Sequence, residues 1–185
     1  MSKHIVTLLV GLLLSPQIMA IEEPKYTVIE KAGAIELRAY SSMIVAETLV
    51  DGAMDDATSK GFRLIAGYIF GGNTSKEGEK QKISMTAPVT IEPKNEKISM
   101  TAPVTLQEES GLWRVHFVMP SEYTMETLPD PKNTAVTLRE IPPQNYAVIK
   151  FSGLAGETQV GLKTKELTDW LNEKGISPKA SPQLA

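Results

Sequence analysis

Apolar residues come in short runs along the first third of the chain. Tyr26 to Glu30, Ala34 to Tyr40 and Met43 to Val50 are rich in Ile, Val, Leu and Tyr, and are punctuated by Gly33 and the Ser41-Ser42 pair. They predict three strands, or two with a bend. After Asp51-Gly52 the spacing changes. Met54, Ala57, Gly61, Ile65 and Tyr68 recur at helical intervals with Thr58, Phe62 and Ile69 beside them, which predicts a helix over 53–70. Asp55 and Asp56 suit its first turn, and Gly71-Gly72-Asn73 suits its stop. Further on, Trp113, Val115, Phe117 and Met119 alternate with Arg114, His116 and Val118, another strand, closed by Pro120. Residues 121–132 form a proline-containing connector with room for one helical turn. Ala135 to Ile141 and Tyr146 to Phe151 give two more strands around Pro142-Pro143. Gly153 and Gly156 mark a turn. A second helix is expected over 157–174, with Val160, Thr164, Leu167, Trp170 and Leu171 inward and Gly175 as its cap.

Between the first helix and the Trp113 strand the pattern repeats itself. The nonapeptide Lys-Ile-Ser-Met-Thr-Ala-Pro-Val-Thr stands at 82–90 and, unchanged, at 97–105. In each copy apolar and small polar residues alternate: Ile83, Met85, Ala87, Val89 and Ile91 in the first, Ile98, Met100, Ala102, Val104 and Leu106 in the second. With Pro93, Lys94 and Asn95 between them, the copies predict a hairpin of two similar strands facing the core. Pro88 and Pro103 each remove a ladder donor and imply an edge or a bulge. A duplicated structural hairpin accounts for the repeat better than a chemical role does.

Composition narrows the setting. In the first 20 residues, Lys3, the apolar stretch from Ile5 to Leu14, Pro16 and the Ile18-Met19-Ala20 tripeptide have the arrangement of a cleaved signal peptide. The stretch is too short to span a bilayer, which takes about 20 apolar residues. The expectation is a single domain over 21–185, exported to a periplasm or beyond, with no membrane span after cleavage. The chain has no cysteine, which excludes disulfides, thiolate metal sites, Cys nucleophiles and lipoprotein attachment. A net charge of -3 with interspersed signs offers no basic stripe for nucleic acid.

The two halves of the remaining chain are alike. A shift of 101 residues sets Ala34 on Ala135, Leu37 on Leu138, Arg38 on Arg139, Ala46 on Ala147 and Gly52 on Gly153, and each half then enters a helix. The fold class expected is α+β: a pseudo-two-fold antiparallel sheet carrying two helices. Catalytic patterns do not stand out. There is no G-x-S-x-G, S-x-x-K or glycine-rich phosphate loop, and Asp55-Asp56 and Glu108-Glu109 read as a helix start and a turn.

The order Tyr68-Ile69-Phe70-Gly71-Gly72-Asn73, then Met-Thr-Ala-Pro-Val, then Trp113 to Pro120 and Phe151-Ser152-Gly153, resembles the SOUL heme-binding family. Glu23-Pro24-Lys25-Tyr26 followed by Glu36-Leu37-Arg38 is similar to its bacterial exported members. The resemblance runs from about Glu22 to Gly175. It implies a distorted antiparallel β-barrel or sheet with two helices in two similar halves, akin in design to effector-binding domains. Members of the family continue into an aromatic and proline-rich stretch and a final strand near an Arg-Arg-Asn-Glu motif, which this sequence lacks, so a C-terminally truncated version of the fold is expected.

The resemblance also implies a ligand, heme or a related tetrapyrrole, held by a hydrophobic groove on the first helix. Position by position the groove falls on Phe62, Ile65, Ala66 and Ile69, with Lys60 and Arg63 placed to pair with propionates. The same residues are also what a helix needs to pack on a sheet, with two solvated cations. His4 lies in the expected signal peptide, so His116 is the one remaining histidine. It is an exposed strand residue if its face meets solvent, the reading preferred here, and an iron ligand or pH-responsive group if that face is covered. Met85, Met100 and Met119 have the chemistry to ligate, but sit where core methionines do. The metal ligation is left open. The function expected is an exported, non-enzymatic carrier or buffer for heme or another tetrapyrrole. An effector-type module for another amphipathic small molecule is the alternative, and a tetrapyrrole-modifying enzyme a more distant one.

Overall fold

The structure, a computed structural model, describes residues 22–93 and 112–185. The expected signal peptide and the second copy of the nonapeptide lie outside them. The order of elements is β1 (Tyr26–Ala32), β2 (Ile35–Tyr40), β3 (Met43–Asp51), α1 (Met54–Ile69), β4 (Asn73–Thr74), β5 (Val89–Pro93), β6 (Leu112–Val118), β7 (Asp130–Pro131), β8 (Thr137–Ile141), β9 (Gln144–Ile149) and α2 (Glu157–Glu173). The strands expected over 26–50, 113–119 and 135–151 and both helices are present, with ends within a few residues. The two-residue β4 and β7 are additional.

The strands form antiparallel sheets in the orders β1-β2-β9 and β5-β6-β3-β8, and β4 pairs with β7. These sheets do not close into a barrel among the described residues. The reason lies in the connections: β2 and β3 are joined by the short Ser41-Ser42 turn, yet each pairs in a different sheet, and β8 and β9 do the same across Pro142-Pro143. The two ladders have matching registers. Leu37 stands opposite Ala147 in one, and Leu138 opposite Ala46 in the other. Positions equated by the 101-residue shift therefore hold equivalent places.

The first nonapeptide copy departs from the expected pattern. Only its last two residues, Val89 and Thr90, are in a strand, β5, which pairs with β6. Ile83 is buried as expected, but Met85 is exposed and Thr86 is buried instead, its hydroxyl donating to the Val118 carbonyl. Pro88 has no N–H for a ladder, and the strand begins just after it.

The main core lies between α1 and the four-stranded sheet, around Ala57, Ile65, Tyr68, Ile69, Val115 and Phe117. α1 ends in a dense cap. Gly71 has φ +111, Gly72 N–H donates to Gly67 O at 2.8 Å, and a Cβ on Gly72 would lie 2.6 Å from that same oxygen. Asn73, fully buried, donates to Tyr68 O and Gln81 O, both at 2.7 Å, and accepts from Gln81 N–H at 2.9 Å. Every polar atom of that side-chain amide is thus engaged, as burial requires.

α1 lies close to the sheet because Gly61 has no side chain. A Cβ there would stand 2.5 Å from Val115 Cγ2. Gly61→Ala gains about 1 kcal/mol of helix propensity, but the overlap forces α1 or Val115 to move, at a cost of about 1–3 kcal/mol for overpacking. The expected outcome in urea melts is a destabilised variant that a second change, Val115→Ala, partly rescues. Additive losses in the double mutant would show that this contact does not set the helix-to-sheet distance.

Candidate functional site

Alternation along β6 divides its side chains between two environments. Trp113, Val115 and Phe117 face α1, and the Phe62 and Phe117 rings pack with centroids 5.3 Å apart. Arg114, His116 and Val118 therefore face the other way. That face is also covered: Val45, His116, Val118 and Ile141 are all buried. His116 is 5% exposed, so the expectation of an exposed strand residue is corrected.

His116 sits in a set of ion pairs. The register places it opposite Glu47 of β3 and Thr90 of β5, and places Arg114 opposite Glu92. Arg139 of β8 donates to Glu47 Oε2 through Nη2 at 2.7 Å and Nε at 3.0 Å. Arg114 Nη1 donates to Glu92 Oε1 at 2.9 Å, and its Nε is 3.6 Å from Glu47 Oε2. Glu92 also accepts from Gln183 Nε2 at 2.6 Å. Two carboxylates and two guanidiniums thus balance, leaving no net charge to hold a protonated imidazole. Burial pushes the His116 pKa down; Glu92 and Glu47 oppose the shift, and Arg139 and Arg114 add to it. Its Nδ1 has no hydrogen-bond partner among the described residues.

The residues expected to form the helix groove separate into two groups. Ile65 and Ile69 point into the core and are fully buried, so they pack on the sheet. Phe62 is 39% exposed, Ala66 is half-buried and Arg63 is exposed. Lys60 donates to Asp51 Oδ1 and to the Asp51 carbonyl, each at 3.2 Å. An outward strip nevertheless exists. Phe62, Ala66 and Phe70 follow one another at intervals of four, which stacks them on one side of α1, and Phe70 is 59% exposed. Gly67 lies beside them, and a Cβ there would meet nothing within 4 Å. The strip spans about 12 Å at 1.5 Å per residue. Arg63 flanks it and enters none of the ion pairs among the described residues. His116 is on the far side of the sheet from this strip, so the structure does not bring the two together.

The model of the SOUL heme-binding protein family matches residues 21–184. The chain belongs to that family. A comparison with curated proteins finds no match. In this SOUL-family chain the outward strip suits one face of an apolar ring system bearing a carboxylate. Among the described residues of the strip no His, Met or Tyr offers an axial ligand. His116 is buried beside the Arg139–Glu47 and Arg114–Glu92 pairs, on the other face of the sheet from the strip. Sequence reasoning took Phe62, Ile65, Ala66 and Ile69 as one groove with Lys60 and Arg63 beside it, and did not single out Phe70 or Gly67. The four charged partners of His116 were also missed. Their signal was present in the equivalence of Arg38 and Arg139, each of which pairs with a glutamate here.

The buried imidazole has a consequence for pH dependence. The unfolded chain protonates its histidine near 6.5, whereas the folded chain does so only at lower pH. The His116 contribution is therefore neutral above pH about 6.5, and stability is lost as pH falls below that, until the lowered folded-state value is passed. Glu36 acts in a separate window. Hydrogen bonds from Lys31 and Arg38 hold its carboxyl down to about 2, so its stabilisation is present above pH 4.5 and is lost as pH falls toward 2. Urea melts of His116→Gln are expected to flatten the stability curve in the interval just below pH about 6.5 and to leave the acid limb in place. An unchanged slope in that interval would contradict the assignment.

Proposed function

We propose that the protein binds heme or a related tetrapyrrole on the outer face of α1 and acts as a carrier or buffer, without catalysing a reaction. The observation that carries this reading is the pairing of exposed Phe62 and Phe70 on one side of the helix, with open space over Gly67 between them and Arg63 alongside. Phe70, and the part of the Phe62 ring not packed on Phe117, leave apolar surface in water at a spacing that suits a planar ring. Family membership supports the ligand class. Bound heme supplies an iron that can change oxidation state, while the protein residues contribute apolar contact and, through Arg63, a partner for a propionate. The reading places this activity after export, on the strength of the apolar stretch that precedes Ala20. It also takes the domain as two halves related by a pseudo-two-fold axis, supported by the matching registers of the two central ladders. No helix among the described residues is long and apolar enough to cross a membrane.

Titration of hemin into the protein lacking residues 1–20 is expected to give a saturable change in the Soret band. Phe62→Ala and Phe70→Ala should each weaken binding about tenfold, or about 1.4 kcal/mol, with little effect on folding for Phe70 and a moderate loss for Phe62, which packs on Phe117. Ile65→Ala should instead destabilise the fold by about 2–5 kcal/mol, as a buried core truncation. His116→Ala should leave the Soret spectrum unchanged. Absence of a saturable change in the parent protein would overturn the heme reading, and loss of binding in His116→Ala alone would move the ligand to the other side of the sheet.

A further inference from the structure

A second concave site lies away from α1. The N-terminal segment, the turn between β2 and β3, and the chain leaving β6 enclose a cleft of about 410 Å³. Its volume is within the range of small-molecule pockets, about 300–1,000 Å³. No residue of α1 lines it. Hydrogen bonds hold its walls together. Met119 N–H donates to Ile44 O at 2.7 Å, Ala87 N–H to Glu22 O at 2.9 Å, and Ser121 N–H to Glu22 Oε1 at 3.2 Å.

The apolar floor is formed by Met43, Ile44, Val118, Met119 and Met125. With Pro24, Pro120 and Tyr123 also on the lining, three methionines contribute unbranched, polarizable side chains that adapt to ligands of varied shape. Met119 is buried beneath the cleft, whereas Met125 is 39% exposed at its mouth. The charged part is one-sided. Glu22, Glu23, Glu126 and Glu140 line the cleft against a single cation, Lys25. None of the four carboxylates enters an ion pair among the described residues; Glu22 is half-buried and the other three are exposed. A hydrogen bond from Thr124 holds the Glu126 carboxyl below the usual range, so its charge persists into mild acid.

We infer that this cleft binds a small amphipathic organic cation, its apolar body on the methionine floor and its ammonium among the four glutamates. A metal ion alone would leave the apolar floor unused, and an anionic amphipath would meet an excess of like charge. Tetrapyrroles carry carboxylates, so the cleft discriminates against the ligand proposed for α1, and the two sites are independent.

The test uses three probes with one apolar body and different head groups: 4-phenylbutylammonium, 4-phenylbutanol and 4-phenylbutanoate. They are titrated into the full domain carrying ¹³C-methyl methionine, and the methyl signals of Met43, Met119 and Met125 are followed by NMR. The cation should shift these signals saturably and bind on the order of tenfold more tightly than the alcohol, as expected for several partly screened charge contacts. The carboxylate should bind more weakly than the alcohol. Raising the salt concentration should narrow the difference. The double variant Glu23→Gln/Glu140→Gln changes only exposed side chains. It should lower cation affinity several-fold and leave the alcohol unaffected. Equal affinity for the three probes, or no saturable shift of those methyl signals with the cation, would overturn the inference. Hemin titration monitored in parallel reads the α1 site separately, so failure of one site does not decide the other.

Discussion

The distance between α1 and the four-stranded sheet depends on the absence of one side chain. With hydrogen at Gly61, the helix backbone can settle against Val115, and Ala57, Ile65, Tyr68 and Ile69 then reach a common depth in the core. That approach decides which residues remain outside. A helix held farther from the sheet would have room to turn Phe62 inward. At the observed distance Phe62 touches Phe117 at its edge and leaves the rest of its ring in water, in line with Phe70. The outward strip is therefore a product of core packing, and the proposed ligand surface is fixed by residues that never contact the ligand.

β6 carries the other half of the organisation. Both of its faces are covered, one by the aliphatic and aromatic side chains beneath α1, the other by a balanced group of two carboxylates, two guanidiniums and a neutral imidazole. Partly buried ion pairs of this kind contribute little net stability, since desolvation and solvent screening offset most of the attraction, and removing one partner leaves the half-buried carboxylate beside it uncompensated. The alternation of apolar and polar residues on β6 was legible in the sequence. Its meaning was not, because an isolated strand with one polar face looks the same whether that face meets water or charged groups on neighbouring strands. Only the pairing of Glu47, Thr90 and Glu92 around His116 and Arg114 shows which applies.

The same limit explains the rest of the comparison. Element order and type were readable from local periodicity, because β-strand and α-helix patterns depend on near neighbours. The Gly71-Gly72-Asn73 stop was readable too, although not the four-residue stack that makes Phe70 part of a surface strip. The groove residues were assigned as one group, yet Ile65 and Ala66 stand one step apart, as do Ile69 and Phe70, a rotation of about 100° that carries a side chain from core toward solvent. The nonapeptide misled in its phase. Its alternation suggested one buried row through Ile83, Met85 and Ala87, whereas the Thr86 hydroxyl seeks the Val118 carbonyl and turns the row over at that point. Hydrogen-bonding demand outranked apolar period there.

One small contact extends beyond these sites. Ile91 donates its amide hydrogen to Leu184 and receives one in return, at 2.9 and 3.0 Å, so residues near the end of the chain lie along the outer side of β5. Leu184 packs on the main core at the same place, and Gln183 reaches the carboxylate of Glu92. The Ile91 amide is thus protected by the tail and not by β6. Its hydrogen-exchange rate measures detachment of that tail separately from opening of the sheet, and a fusion partner joined after Ala185 would load this bond before any other.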